Sequence, residues 1–103
     1  MANFINIPIS NIGTTPVTIF TATASAVVIG CNVANTSAYI IPVDIILNSG
    51  VADTYIKKGF RIANGDSEEV MKGNKITLQV GDSIIIKSEI DNSIDVILSL
   101  VEV

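Results

Sequence analysis

The stretch ITLQVGDSIIIKSEIDNSIDVILSLV, Ile76 to Val101, decides the fold. Ile76-Thr77-Leu78-Gln79-Val80 alternates apolar and polar residues, the period of a strand with one buried face. Gly81-Asp82-Ser83 interrupts it with turn residues, Ile84 to Ile90 resumes, and Asp91-Asn92-Ser93 interrupts again before a last strand from Ile94 to Val103. A helix over Ile84–Leu100 would carry that turn cluster in its interior, along with β-branched side chains that lose χ1 freedom there. Three strands joined by two turns is the consistent reading.

The same grammar runs back to the N-terminus. Val, Ile and Thr supply 38 of the 103 residues, against four Leu, a bias toward pleated surfaces. Ala26 to Asn35 reads as a strand with Val27, Ile29, Cys31 and Val33 inward. Tyr39 to Leu47 reads as another, with Ile41, Val43, Ile45 and Leu47 on one face. Pro42 falls on its other face and marks an edge or a bulge. Asn48-Ser49-Gly50 turns the chain into a hairpin return over Ala52–Lys57, with Thr54 and Ile56 on one side and Asp53, Tyr55 and Lys57 on the other. Phe60–Ala63 is a separate short strand closed by Asn64-Gly65-Asp66, and Ser67–Met71 continues extended. Near the start, Ile5, Ile7 and Ile9 share one face, and Asn6, Pro8 and Ser10 the other. Residues 1–12 are expected to form an N-terminal extended arm or edge strand, able to add to a neighbour's sheet, and residues 13–103 a single β-sandwich domain. Val17–Thr21 completes a set of eight or nine short strands. The expected architecture is all-β, an antiparallel β-sandwich or jelly roll.

Several strands are apolar on both faces: Ile40-Ile41, Ile45-Ile46-Leu47, Ile84-Ile85-Ile86, Val96-Ile97-Leu98 and Leu100-Val101. A two-layer sandwich buries one face per sheet. The surplus is left for burial by another subunit, cover by the N-terminal segment, or scattered exposure, and large bare apolar patches are rare on monomers. The candidate assembly residues are Phe4, Ile5, Ile7, Ile9, Ile40, Ile46, Ile85, Ile97 and Val101.

Chemistry has little to work with. The chain has no His and one Cys, so the commonest general base, Ser-His and Cys-His pairs and an ordinary zinc site are excluded. No phosphate-binding glycine motif is present. No catalytic residue, metal or cofactor is expected. Asp66-Ser67-Glu68-Glu69, the densest acidic group, lacks the spacing of a calcium loop and reads as solvated turn carboxylates. Asp82 and Asp91 read as turn stabilisers. Cys31 reads as a small buried hydrophobe. Tyr39, Tyr55 and Phe60 are the side chains from which a sugar-binding surface would be built. Lys57, Lys58 and Arg61 form a small basic spot, read as a solvated hairpin tip. Net charge is −4 with six scattered cations, against a nucleic-acid partner. No membrane span and no signal peptide are read from the sequence, which points to synthesis in a cytoplasm.

The segments AVVIGCNVANTS (Ala26–Ser37), KITLQVGDSI (Lys75–Ile84) and SIDVILSLVEV (Ser93–Val103) resemble small virion structural proteins of tailed bacteriophages. The resemblance runs from about Thr18 to Val103. It implies a β-sandwich unit used as capsid decoration, head fibre, or tail and baseplate component, homo-oligomeric and often trimeric, with no catalytic residues to carry over. Cys31 and Met71-Lys72 depart from the small or polar choices at those positions. The expectation is therefore a non-enzymatic virion protein made in the bacterial host cytoplasm. Its partners would be itself, as a homotrimer, and the major capsid protein or other virion proteins, with no nucleic acid and no membrane. The most direct form is a capsid decoration or head-fibre protein on the head surface. The alternatives are a tail, neck or baseplate subunit, or a carbohydrate-binding module for host attachment.

Overall fold

The computed structural model describes residues 3–102. Nine strands follow in order: β1 (Asn3–Ile12), β2 (Val17–Thr21), β3 (Ala26–Asn35), β4 (Ile41–Asn48), β5 (Asp53–Ile62), β6 (Ser67–Glu69), β7 (Ile76–Leu78), β8 (Ser83–Ser88) and β9 (Ile94–Glu102). There is no helix among the described residues.

All pairings are antiparallel. Sheet A runs β1-β9-β3, with β6 and β7 both on the far side of β3, as one edge strand interrupted in the middle. Sheet B runs β2-β8-β4-β5. First pairs with last, second with second-to-last, and the innermost pair, β4 with β5, forms a hairpin. This is a long hairpin rolled over on itself, the topology of a jelly roll. The inner faces meet in one core of Ile, Val and Leu side chains from both sheets, including Ile12, Val28, Ile41, Ile45, Ile86, Leu98 and Leu100.

Bulges correct the readings of β3 and β5, and at Pro42, read as an edge or a bulge, the bulge is what is found. In β3, Val28 pairs with Leu100 and Gly30 with Ser99, so Ile29 is an extra residue. Up to Val28 the even positions face the core, and from Cys31 the odd ones do. Val27 and Ile29, read as inward, therefore point outward, because one inserted residue reverses the phase of a period-two pattern. In β4, Pro42 sits in an interior strand, opposite Arg61 and one step before pairing with β8 begins at Val43. The ladder is bulged beside it, between Val43 and Ile45. Phe60–Ile62 is no separate strand but the continuation of β5. Lys58 and Gly59 together oppose Asp44, with Gly59 at φ 62°, where glycine carries no steric penalty. The cations of β5 lie at this mid-strand bulge; the hairpin tip is Ser49–Ala52, closed by the Ser49 N–H donating to the Ala52 carbonyl.

Candidate assembly surface

The bulges are held by carboxylates. Asp44 Oδ1 accepts the Gly59 N–H at 2.8 Å, and its Oδ2 lies 3.7 Å from Lys87 Nζ. Glu69 caps the β3 bulge: Oε1 accepts the Cys31 N–H and Oε2 the Lys72 N–H at 2.6 Å. Gly30 permits this approach, since a Cβ there would stand 3.3 Å from Glu69 Oε1. Glu68 pairs with Lys72 at 3.6 Å. Asp82 Oδ2 accepts the Gln79 N–H within its own turn. Asp91 instead reaches across to the β1–β2 loop, accepting the Thr14 hydroxyl at 2.8 Å and the Thr14 N–H at 3.2 Å. Those two bonds, the hydroxyl's first, hold its carboxyl below the usual range. These carboxylates are occupied by backbone and loop contacts. Among the described residues, no group of three or more potential ligands is placed to hold a metal ion.

Cys31 is buried against the core. Burial, reinforced by the Glu69 carboxylate, pushes its thiol up from 9.0 to about 12. The thiol is then protonated in the folded protein and ionises in the unfolded chain between those values. Stability is unaffected below pH 9 and falls above it, by at most about 1.4 kcal/mol per pH unit. Native protein at pH 8 is expected to resist alkylation by iodoacetamide, while urea-unfolded protein reacts. A Cys31→Ala variant is expected to lose the corresponding part of the alkaline decline, measured by urea melts between pH 8.5 and 10.5.

The nine candidate assembly residues separate into four groups. Ile5, Ile7 and Ile9 face inward from β1 and pack half-buried against the core at the open side of the sandwich. Ile40 is exposed in the loop before β4, beside Tyr39. Ile46 and Ile85 pair on the outer face of sheet B, flanked by Thr18 and Tyr55; Ile46 retains only 7% exposure, and Lys58 Nζ lies 4.7 Å from the Tyr55 ring centre. Phe4, Ile97 and Val101 come together on the outer face of sheet A.

That last group is the most exposed. Phe4 pairs with Val101, which pairs with Val27, and Pro8 pairs with Ile97. Ile29 projects from the bulge between these rows. Phe4 is 75% exposed, Ile29 39% and Ile97 44%. Between the rows the Ser99 hydroxyl donates to Asn6 Oδ1 at 2.7 Å. The result is an apolar patch across three strands with a small polar centre. Val27 and Ile29 were missed as members because the sequence pattern placed them in the core. The available signal was Gly30, a glycine inside a strand, which marks a bulge.

The three aromatics considered for a sugar platform do not converge. Tyr39 lies in the β3–β4 loop, Tyr55 on the outer face of sheet B, and Phe60 packs against the core with Lys57 Nζ 5.2 Å from its ring centre. No helix of the described residues is long and apolar enough to cross a membrane.

No family model matches the sequence, and no curated protein matches it. Solved structures do match the fold. A chain of the capsid of Helicobacter pylori bacteriophage KHP30 superposes with TM-score 0.61 at 8% identity, over 99% of this chain and 87% of that one. A chain of the disulfide-linked pili of Bacillus endospore appendages gives TM-score 0.60 at 17% identity, over 99% and 86%. A pentameric capsid protein from metagenomic phage sequences gives TM-score 0.52 at 15% identity, over 97% of this chain and 61% of that one. At these identities the likeness is one of fold: an all-β sandwich of two antiparallel sheets shared with viral capsid and pilus proteins.

Proposed function

We propose that this chain is a non-enzymatic structural protein of a bacteriophage virion, a homo-oligomer, taken as a trimer, that sits on the head surface as a capsid decoration or head-fibre protein. The observation that carries the reading is the apolar outer face of sheet A. Phe4, Val27, Ile29, Ile97 and Val101 cover three strands without a cation among them, and such a patch is a contact surface in a soluble assembly. The shared fold with phage capsid proteins supports the virion setting. In this reading the face lies against the major capsid protein.

The test is virion composition and position. Mass spectrometry and electron cryo-microscopy of purified particles are expected to find hundreds of copies on the head for a decoration protein, or a few tens for a fibre. The double variant Ile29→Asp with Ile97→Asp is expected to reduce incorporation at least tenfold. Its unfolding free energy should stay within about 0.5 kcal/mol of wild type, as for exposed substitutions in general. Wild-type incorporation of the variant would remove the face from the attachment.

A second reading, a tail, neck or baseplate subunit, is supported by the likeness to a pilus subunit over most of its length. The same microscopy separates the two by location.

A further inference from the structure

The two lateral sides of the sandwich differ in charge and in shape. The first cation of the sequence is Lys57, so β1, β2, β3 and β4 carry none, and neither does β9. The side bounded by β1 and β2 presents Asp91 from the adjoining β8–β9 turn, with Asp95 beside it, Asp95 Oδ1 accepting the Asn11 N–H. The opposite side, bounded by β5 in one sheet and β6–β7 in the other, carries Lys57, Lys58, Arg61, Lys72 and Lys75, five of the six cations. Four of these, all but Lys72, form no ion pair among the described residues. Its carboxylates Asp53, Asp66, Glu68 and Glu69 all make local contacts, Asp53 with Asn48, Asp66 with the Ser67 N–H, Glu68 with Lys72, and Glu69 with the Cys31 and Lys72 N–H groups. Between β5 and the β6–β7 turn lies an open groove of about 180 Å³ with Ile56, Val70, Met71 and Ile76 in its lining and Lys57 and Lys72 on its rim.

Strand direction makes the two sides compatible. In sheet A the directions alternate from β1 to β7, an even number of positions, so a second copy set alongside in the same orientation presents its β1 antiparallel to the first copy's β7. The same holds for β5 and β2 in sheet B. Heights match too. Phe4, Val101, Val27 and Thr77 form one row, and Ile5, Leu100, Val28 and Ile76 the next. Phe4 of one copy therefore stands level with Thr77 of its neighbour on the outer face, and Ile5 level with the groove residue Ile76 on the inner face. Pro8, which has no N–H to give, stands level with Glu69 of β6, clear of β7.

We propose that copies of this chain join side by side and head to tail, the β1–β2 side of one seated on the β5/β6–β7 side of the next. The occupant of the cationic groove is thus a second copy of the chain, through the inward face of its β1 edge, Ile5 level with Ile76, and through its acidic side. The molecule measures 42 × 27 × 20 Å, so a side along its long axis offers on the order of 800 Å² or more per partner, the size of a specific interface. Head-to-tail contacts close into rings or continue as filaments. In either, the apolar faces of sheet A line up into a continuous band. This inference rests on the self-assembly part of the proposed function, and its test uses the purified chain alone, so virion position is judged separately.

Phe4→Asp disables one side, and Arg61→Glu with Lys75→Glu the other; circular dichroism checks that both variants fold. By native mass spectrometry and light scattering, wild type is expected as a species of three or more copies. Each variant alone is expected to associate at least tenfold more weakly, and the two mixed are expected to give a one-to-one heterodimer through the remaining good pair of sides. A second measurement does not depend on weakened association. Phe4→Cys with Thr77→Cys is expected to form a disulfide ladder of dimers, trimers and higher species on oxidation. Within one chain those positions lie three strand spacings apart, roughly 14 Å, too far to bond. A wild-type monomer at 100 µM, a dimer unaffected by either variant, variants that show no heterodimer on mixing, or a Cys pair that gives no ladder would each overturn the proposal.

Discussion

Replacing Asn35 by leucine is expected to lower the unfolding free energy by about 3 kcal/mol, although the two side chains have nearly the same volume. Asn35 is 2% exposed and sits where β3 ends. Its Nδ2 donates to the carbonyls of Tyr39 at 2.6 Å and Ile62 at 2.9 Å. Its Oδ1 accepts the Ser37 N–H at 2.9 Å and the Ser37 hydroxyl at 2.7 Å. All four bonds the amide can make are made. Leucine leaves the Ile62 carbonyl and the Ser37 N–H without partners, at about 1–3 kcal/mol each where water cannot replace the bond. The loop from Thr36 to Ile40 loses its tie to β5. In a domain of this size the melting temperature should fall by roughly 12 °C or more. Asn35→Asp separates the amide donors from mere polarity. At neutral pH it aims a carboxylate at two carbonyls and is expected to be no more stable than the leucine variant. It should recover as pH falls and the carboxyl gains a proton to donate. Thermal melts at pH 7 and pH 4 read both effects. A leucine variant melting within 3 °C of wild type would show that the network does not hold the loop.

Removal of residues 1–12 is expected to abolish cooperative unfolding. β1 pairs with β9 from Asn3↔Glu102 to Ile12↔Ile94. Its inward side chains Ile5, Ile7 and Ile9 cover the open side of the core, and Ile12 is fully inside it, with its carbonyl accepting the Ser93 N–H. Losing one buried isoleucine costs about 2–5 kcal/mol. Losing Ile12, three half-buried neighbours and a ladder together exceeds the roughly 5–15 kcal/mol that holds a domain folded. The truncated chain should show no melting transition and should bind a dye that reports exposed apolar surface. A synthetic peptide of residues 1–12 is expected to restore part of the transition by occupying the vacated edge. A truncated protein that melts cooperatively near the wild-type temperature would show that the sandwich closes without β1.

What could be read in advance follows from which forces are local. Alternation and turn residues mark the strands apart from the continuity of β5, because burial of one face and φ requirements are written residue by residue: Ile84 and Ile86 inward, Ile85 outward, Asp91-Asn92-Ser93 turning with Asn92 at φ 51°. Bulges are not written that way. The extra residue at Ile29 depends on Glu69, 38 positions after Cys31, to satisfy the Cys31 N–H it frees. The pair Lys58-Gly59 depends on Asp44 in the same manner. The assembly face suffered directly. Phe4, Ile97 and Val101 were visible as surplus apolar residues, but Val27 and Ile29 were assigned to the core, and Ile46 and Ile85 fell on the other sheet. Charge segregation was invisible for a different reason. In sequence Lys57, Lys58 and Arg61 are separate from Lys72 and Lys75, and only the fold brings the fifth strand next to the β6–β7 turn.

The pairing of first strand with last has a temporal consequence. During synthesis the β4–β5 hairpin can form as soon as its own residues are available, because its partners are close in sequence. β1 must wait for β9, its register partners lying up to 99 positions away. Closing such a long loop is slow compared with local pairing. Until it closes, a growing chain holds Ile5, Ile7 and Ile9 bare and has no formed β1–β2 side to offer. The strand that completes the core also bounds one of the two joining sides, so a nascent copy can offer that side only when its own folding has finished.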